Sequence, residues 1–407
     1  MRFTLKAKTH SLRGKIKLPG SKSISNRALI INALAARSFE IQNLSEADDT
    51  MMLKKALERN DLITDVGPAG TAMRFLTAYY AITPGVHVLT GSERMKQRPI
   101  SILVEALRKL GARITYLEKD GYPPIHIEGR RLNGGTIDID GNVSSQFITA
   151  LMLIGPTLPQ PLTININGNP LSRPYIIMTK TLMERCGAQV GLEENVITIN
   201  PGRYRSHQFD VERDWSSAAF WMSFAALSRK ADLLLEGLSE NSIQGDIECI
   251  EVFNALGVES KFVDGDLKIS KKAIDSQRDL INFRNHPDLV QPAAIAAAAL
   301  GLDLKLAGLD NLRLKESDRI QALQMELAKA GFKTSVEDHT LHLIGSAKSS
   351  IKPEHFAAHD DHRMAMSLAS LAMVIPEIVI HDPMVVSKSY PSFWNQVEKF
   401  VDVRPGR

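Results

Sequence analysis

The sequence predicts a mixed α/β fold built from repeated βαβαββ modules with buried helices, and three observations carry that expectation. Six times a short strand runs into a turn rich in Gly, Ser, Asp or Asn and then into a helix of mostly small apolar residues. From the second of these helix openings onward the spacing is roughly 70 to 75 residues, whereas the first interval is only about 45, so the first unit is expected to be truncated. A second phrase alternates with the first: a helix ending in Gly, then a strand, a turn and another strand.

The six openings are Leu18-Pro-Gly-Ser-Lys-Ser-Ile-Ser-Asn-Arg27, Val66-Gly-Pro-Ala-Gly-Thr-Ala-Met-Arg-Phe75, Gly141-Asn-Val-Ser-Ser-Gln-Phe147, Glu212-Arg-Asp-Trp-Ser-Ser-Ala218, Arg284-Asn-His-Pro-Asp288 and His359-Asp-Asp-His-Arg-Met-Ala365. The helix bodies that follow, such as 293–300, lack a polar face and are expected to be buried. In the second phrase Gly111, Gly187, Gly257 and Gly331 stand where a helix C-cap needs positive φ, and alternating strands follow, as in Leu341-His-Leu-Ile344.

With 407 residues, 44% of them hydrophobic, the chain can bury a core large enough for two domains, and three modules per domain is the natural division. The best candidate joints are Leu18-Pro-Gly20 and the segment from Tyr204 to Asp214. No apolar run approaches a membrane span and Met1-Arg-Phe-Thr-Leu-Lys6 opens no signal peptide, so a cytoplasmic protein without a membrane partner is expected. The formal charge of +3, without a basic stripe interleaved with aromatics, gives no nucleic-acid footprint. Cys186 and Cys249, far apart and lacking neighbours at ligand spacing, read as buried free thiols rather than a disulfide or zinc site.

Lys22, Ser23 and Arg27 at the mouth of the first buried helix suit a phosphate or carboxylate, because helix N-termini present free N–H groups and partial positive charge. The Walker A spacing is absent, and a polar cap with solvated charges explains the same residues. Gly70, Thr71 and Arg74 repeat the idea with less charge, and Ser144-Ser-Gln146 offers hydroxyls and an amide to a polyol or phosphate; capped helix starts would look alike. Arg313-Leu-Lys-Glu-Ser-Asp-Arg319 packs both signs of charge before a helix, either as local ion pairs or as anion-binding cations with Glu316 moving a proton. Around Asp360-Asp-His-Arg363 the consecutive side chains diverge, so no metal site is expected; the acids cap, and His362 and Arg363 face the site. Asp288 is the corresponding acid of the fifth module, or a simple N-cap; Ser387-Lys-Ser-Tyr-Pro391 is a candidate or a surface turn.

These motifs, with Gln97-Arg-Pro-Ile100 and Leu171-Ser-Arg-Pro-Tyr175, stand in the order seen in the 3-phosphoshikimate 1-carboxyvinyltransferases, the 5-enolpyruvylshikimate-3-phosphate synthases, and the resemblance covers nearly the whole chain. It implies an inside-out α/β architecture of two domains, 1–19 plus 214–407 and 20–213, closing on shikimate 3-phosphate and phosphoenolpyruvate. By resemblance Lys22, Ser23, Arg27, Ser144, Ser145, Gln146, Ser172 and Tyr175 hold shikimate 3-phosphate, with Asp288, Asn311 and Lys315. Phosphoenolpyruvate is expected against Lys22, Gly70, Arg98, Gln146, Arg319, Arg363 and Lys388. The substrates carry roughly −5 to −6 in total, which requires several fixed cations.

In the family's reaction the 5-hydroxyl attacks C2 of phosphoenolpyruvate while C3 is protonated, and the tetrahedral intermediate then eliminates phosphate. That sequence needs a base and an acid. Asp288 is the candidate base and Glu316 the candidate for C3 proton transfer, with Lys388 and Lys22 as partners and His362 counted among the catalytic residues. No cofactor or metal is needed, since guanidinium and ammonium groups neutralise the phosphates, and a monomer is expected. The chain departs from the family at Pro68, where Asn is common, at Phe75, where Pro is common, and in the short 50–66 segment. A transferase acting on a UDP-amino sugar shares the fold but usually carries a reactive loop Cys; a non-catalytic anion binder would need the cations without Asp288, Glu316 and Lys388.

Overall fold

Alternating side chains make the strands and small apolar residues make the helices that cross between them, so the regular repeat folds as a parallel strand pair bridged by a helix, followed by a hairpin. The computed structural model describes residues 1–59, 61–142, 144–205, 208–274, 278–345 and 354–406. Val143 of the third opening and residues 206 and 207 of the second candidate joint lie outside them. The chain divides into two compact units, Met1–Gly20 with Glu212–Arg407, and Ser21–Val211.

The six openings lead into helices here numbered α1 (Lys22–Leu34), α2 (Gly70–Ile82), α3 (Ser145–Ile154), α4 (Trp215–Leu227), α5 (Val290–Ala299) and α6 (His362–Ala369). All residues of α4 and α5 are buried, as the absence of a polar face requires. In the Ser21–Val211 unit two four-stranded sheets share one plan, in spatial order Ile63–Asp65, Gly85–Thr90, Ile125–Gly129, Arg113–Tyr116 and Gly135–Asp140, Leu162–Asn167, Val196–Ile199, Val190–Glu193. The first pair in each is parallel, with α2 or α3 as its crossover, and the others are antiparallel. The helices before the hairpins end on Gly111 and Gly187 at φ 101° and 84°, conformations that cost an L side chain energy.

The first module of the Ser21–Val211 unit is built differently from the other two. Its strand is two residues, Ile41–Gln42, paired in parallel with Phe209–Asp210, and the helix Asp48–Arg59 is followed directly by the next module's first strand.

In the other unit the fourth and fifth modules have the same four-stranded plan, but the fourth takes its first strand, Ser11–Lys17, from the chain's start, parallel to Lys230–Glu236. The sixth module departs from the repeat: it has the strands Glu354–Ala357, Ile378–His381 and Val401–Gly406, and Arg2–Ala7 inserts antiparallel between the last two. One hydrophobic cluster runs through this unit from Phe3 to Val401. Within it Trp221 of α4 lies 5.5 Å from Phe224 and 6.2 Å from Phe393, ring centre to ring centre. Each such fully buried side chain contributes about 1.5–3 kcal/mol. Among the described residues no helix is long and apolar enough to cross a membrane.

Candidate active site

Within the Ser21–Val211 unit, α1 starts behind Ser21, whose hydroxyl caps the Ile24 amide. Lys22 follows and its Nζ lies 3.0 Å from Asp49 Oδ2, on the first turn of the helix Asp48–Arg59. One turn later Arg27 is buried, donating from Nε to Thr179 Oγ1 at 2.8 Å, from Nη1 to the Ser23 carbonyl at 2.8 Å and from Nη2 to Thr149 Oγ1 at 3.4 Å. Burial pulls its pKa down to about 10, and the nearby Tyr175 opposes that shift. A guanidinium held by neutral oxygens keeps its charge available to an anion. The ring of Phe75 lies 5.6 Å under it, so the residue that replaces the family's common Pro makes a cation–π contact.

The other predicted residues of this unit cluster around helix starts. Ser144 caps α3, Ser145 is its first residue, and the Gln146 amide donates to Thr71 Oγ1 on α2 at 3.2 Å. Ser172, at φ 57°, precedes the helix Arg173–Arg185 that carries Tyr175, and its hydroxyl makes no cap bond. α2 opens at Gly70 behind Ala69, which supplies no side-chain cap. A Cβ on Gly70 would stand 2.7 Å from Arg98 Nη1, so glycine is what lets this guanidinium lie against the helix mouth. Free amides and an apposed Arg form an anion-binding arrangement. Arg74, by contrast, is buried against the Gly70 and Pro99 carbonyls and the Phe147 ring.

In the second unit the charges converge at the starts of α5 and α6. Arg319 is the first residue of the helix Arg319–Lys329 and is 1% exposed, which decides that its charge must be answered inside the protein. Its Nε lies 2.7 Å from Asp361 Oδ2, Nη2 3.0 Å from Glu316 and Nη1 3.2 Å from Asp288. Burial works against the cation, but Asp361, Glu316 and Asp288 together hold it protonated. Arg363, on α6, reaches Asp288 Oδ2 at 2.7 Å, and Lys388 stands 3.6 Å from Glu316. Burial raises the proton affinity of Asp288, yet Arg363, Lys315 and Arg319 outweigh it and hold the carboxyl well below its ordinary range. Asn311 and Lys315 flank the turn Leu312–Leu314 that leads to this cluster.

Asp361 fulfils the capping role expected of it, accepting from the Arg363 amide at 2.9 Å, and also pairs with Arg319. His362 is buried beside it, Nδ1 3.7 Å from Asp361 Oδ1. Arg313 turns away to Asp318 at 3.0 Å, so local ion pairing accounts for that part of the charged segment. Sequence reasoning missed Asp49, Thr149 and Thr179 as partners of Lys22 and Arg27. Asp49 sits in a doublet of acids opening a helix, a signal legible only once a cation is placed beside it. Both cysteines are buried, and burial pushes the Cys186 thiol up to about 11 and Cys249 well above its ordinary value, the opposite of a reactive thiol. No group of three or more His, Cys, Asp or Glu among the described residues could hold a metal ion.

Buried helices aimed at clustered cations, in modules of this topology, define an enolpyruvyl-transferase fold. At TM-score 0.77, 23% identity and coverage of 99% of this chain and all of the other, the fold matches an EPSP synthase structure from Acinetobacter baumannii. It also matches the enolpyruvyl transferase NikO from Streptomyces tendae, at TM-score 0.75 and 15% identity over 99% of this chain and 98% of that one. The sequence matches the family model for EPSP synthase (3-phosphoshikimate 1-carboxyvinyltransferase) over residues 6–59 and 52–397. It is 44% identical to a 3-phosphoshikimate 1-carboxyvinyltransferase of Bacteroides fragilis, covering 98% of each chain, and 36% identical to one of Sulfurovum sp., covering 95% of this chain and 96% of that one. The chain belongs to the EPSP synthase family.

Proposed function

We infer that this chain transfers the enolpyruvyl group of phosphoenolpyruvate to the 5-hydroxyl of shikimate 3-phosphate and releases phosphate, a step of aromatic amino acid biosynthesis. Identity of 44% over 98% of the chain to a relative so named carries the reading. The assignment of residues follows the resemblance to the family, and the chemistry each residue can do supports it. Lys22, Ser23, Arg27, Ser144, Ser145, Gln146, Ser172 and Tyr175 bind shikimate 3-phosphate; Arg27, ringed by hydroxyls and a carbonyl, supports a phosphate role. Asn311 and Lys315 assist. Gly70, with the α2 mouth and Arg98, receives phosphoenolpyruvate, together with Lys22, Gln146, Arg319, Arg363 and Lys388.

Asp288 takes the proton of the 5-hydroxyl. Its carboxylate starts weakly basic, and becomes more basic as substrate anions draw charge from Arg363 and Arg319. Glu316, which contacts Arg319 and Lys388, is the group that transfers a proton to C3, and Lys388, Lys22 and His362 complete the catalytic set. The test is phosphate release from purified protein given both substrates: turnover is expected only with shikimate 3-phosphate present, and turnover with a UDP-amino sugar in its place would overturn the reading.

A further inference from the structure

The fourth helix opening took no part in the function derived above, yet it holds a second carboxyl close to the base. Asp246 lies on the short turn Gly245–Glu248, is buried, and accepts a hydrogen bond through Oδ2 from Ser216 Oγ on the first turn of α4. α4 packs against both the turn Gly245–Glu248 and the turn Pro287–Leu289, which carries Asp288. The His286 ring, two residues before Asp288, lies beside the Gly245 backbone of the other turn.

We propose that Asp246 is a positioning residue for the reaction, a buried carboxyl held by Ser216 behind Asp288 whose ionisation sets how strongly Asp288 binds a proton. The inference rests on the reading of Asp288 as the base. Burial pushes Asp246 up to about 7, the Asp288 charge adds to the rise, Ser216 and Arg363 oppose it, and Asp214 at the α4 cap adds again. His286 is pulled down to about 4 by burial, so it stays neutral through the range in which Asp246 titrates. The Cys249 thiol, next on the same segment, is held protonated by burial and by Asp246 and Glu248. Of these three groups, Asp246 is the one whose charge changes near neutrality. Two carboxyls whose surroundings drive their proton affinities apart divide their roles: Asp288 stays ionised, and Asp246 gains its charge as pH rises and makes Asp288 the better base.

The experiment compares kcat of wild type and Asp246→Asn across pH 6 to 8.5, with Asp288→Asn and Ser216→Ala alongside. Asn reproduces the neutral carboxyl, so the ratio of wild type to variant should be near one at pH 6 and rise to about tenfold at pH 8.5, the worth of one pKa unit in the base. Ser216→Ala removes a bond to the ionised form, so its rate should climb at higher pH than the wild type's. It also keeps the idea testable if Asp246→Asn does not fold. A ratio that stays constant with pH, beside an inactive Asp288→Asn, overturns this inference alone; an Asp288→Asn enzyme that turns over like wild type overturns the base reading beneath it.

Discussion

Arg363 grips Asp288 at two places, its Nη2 2.7 Å from the carboxylate Oδ2 and its Nη1 3.2 Å from the backbone carbonyl. The double contact fixes both the carboxylate and the turn that presents it at the start of α5. Removing the charge while keeping the shape should cost about 10²–10⁴ in kcat, the usual worth of a positioned general base. Asp288→Asn should therefore release phosphate slowly and still bind shikimate 3-phosphate, as titration calorimetry would record. Wild-type turnover would remove the base assignment.

Arg319 answers three carboxylates at once, and with it gone Asp361, Glu316 and Asp288 would share too little positive charge. Arg319→Met should lose about 3–5 kcal/mol, the cost of breaking a buried ion pair by removing one partner. The pH dependence has a definite sign. In the wild type the depressed Asp288 carboxyl contributes stability that is complete above the ordinary carboxylate pKa of about 3.9 and is lost as pH falls through its lower folded value. In the variant the Asp288 carboxyl binds a proton more readily, so the deficit in melting temperature should be widest near pH 8 and narrow toward pH 4. Calorimetry on both proteins reads this, and a pH-independent deficit would refute it.

Glu326 fastens the loop that leads into α6. Its side chain is fully buried and accepts from His359 at 2.6 Å, from Lys329 at 2.8 Å and from the Ala357 amide at 3.0 Å, while His359 and Asp360 take left-handed backbone angles. Burial raises its proton affinity, but those three bonds win and hold it below the ordinary range. Its contribution is thus present above about pH 4.3 and lost as pH falls through the lower folded pKa. Glu326→Gln should cost about 1–3 kcal/mol at pH 7, the penalty for buried partners left badly matched, and the gap from wild type in denaturant unfolding should close below pH 4. An equal gap at both pH values would show that the charge is irrelevant.

The repeat was legible because its signals are local: glycines at the ends of helices, alternating strands and helices without a polar face each act over a few residues. Strand exchange was not legible from the repeat. Nothing in Arg2–Ala7 says that Phe3 will stand opposite Ile380 and Pro405, since that pairing is settled by the vacancy that the sixth module's missing strand leaves in its sheet. The site divided in the same way. Lys22, Arg27, Arg319 and Arg363 stood out as cations at helix starts, whereas Asp49, Thr179 and Asp246, which answer or tune the charged groups, come from segments tens of residues distant and carry no motif of their own. Phe75 looked like a departure from the family and acquires a role only with Arg27 above it.

Gly70 offers the sharpest separation of binding from folding. The atom that an added Cβ would meet at 2.7 Å is the end of the Arg98 side chain, which can swing aside, so Gly70→Ala should leave the fold intact and keep its melting temperature. Alanine is also the better helix former, which favours the first turn of α2 slightly. The displaced guanidinium, however, would no longer lie against the helix mouth, and the methyl would occupy space beside the amides that face an anion. The KM for phosphoenolpyruvate should rise roughly tenfold or more, as small steric changes in a fitted site do, while the affinity for shikimate 3-phosphate holds. Steady-state kinetics with each substrate varied in turn would check it. An unchanged KM for phosphoenolpyruvate would mean that this substrate does not use the opening of α2, and a parallel loss for both substrates would mean that the change acts through the fold.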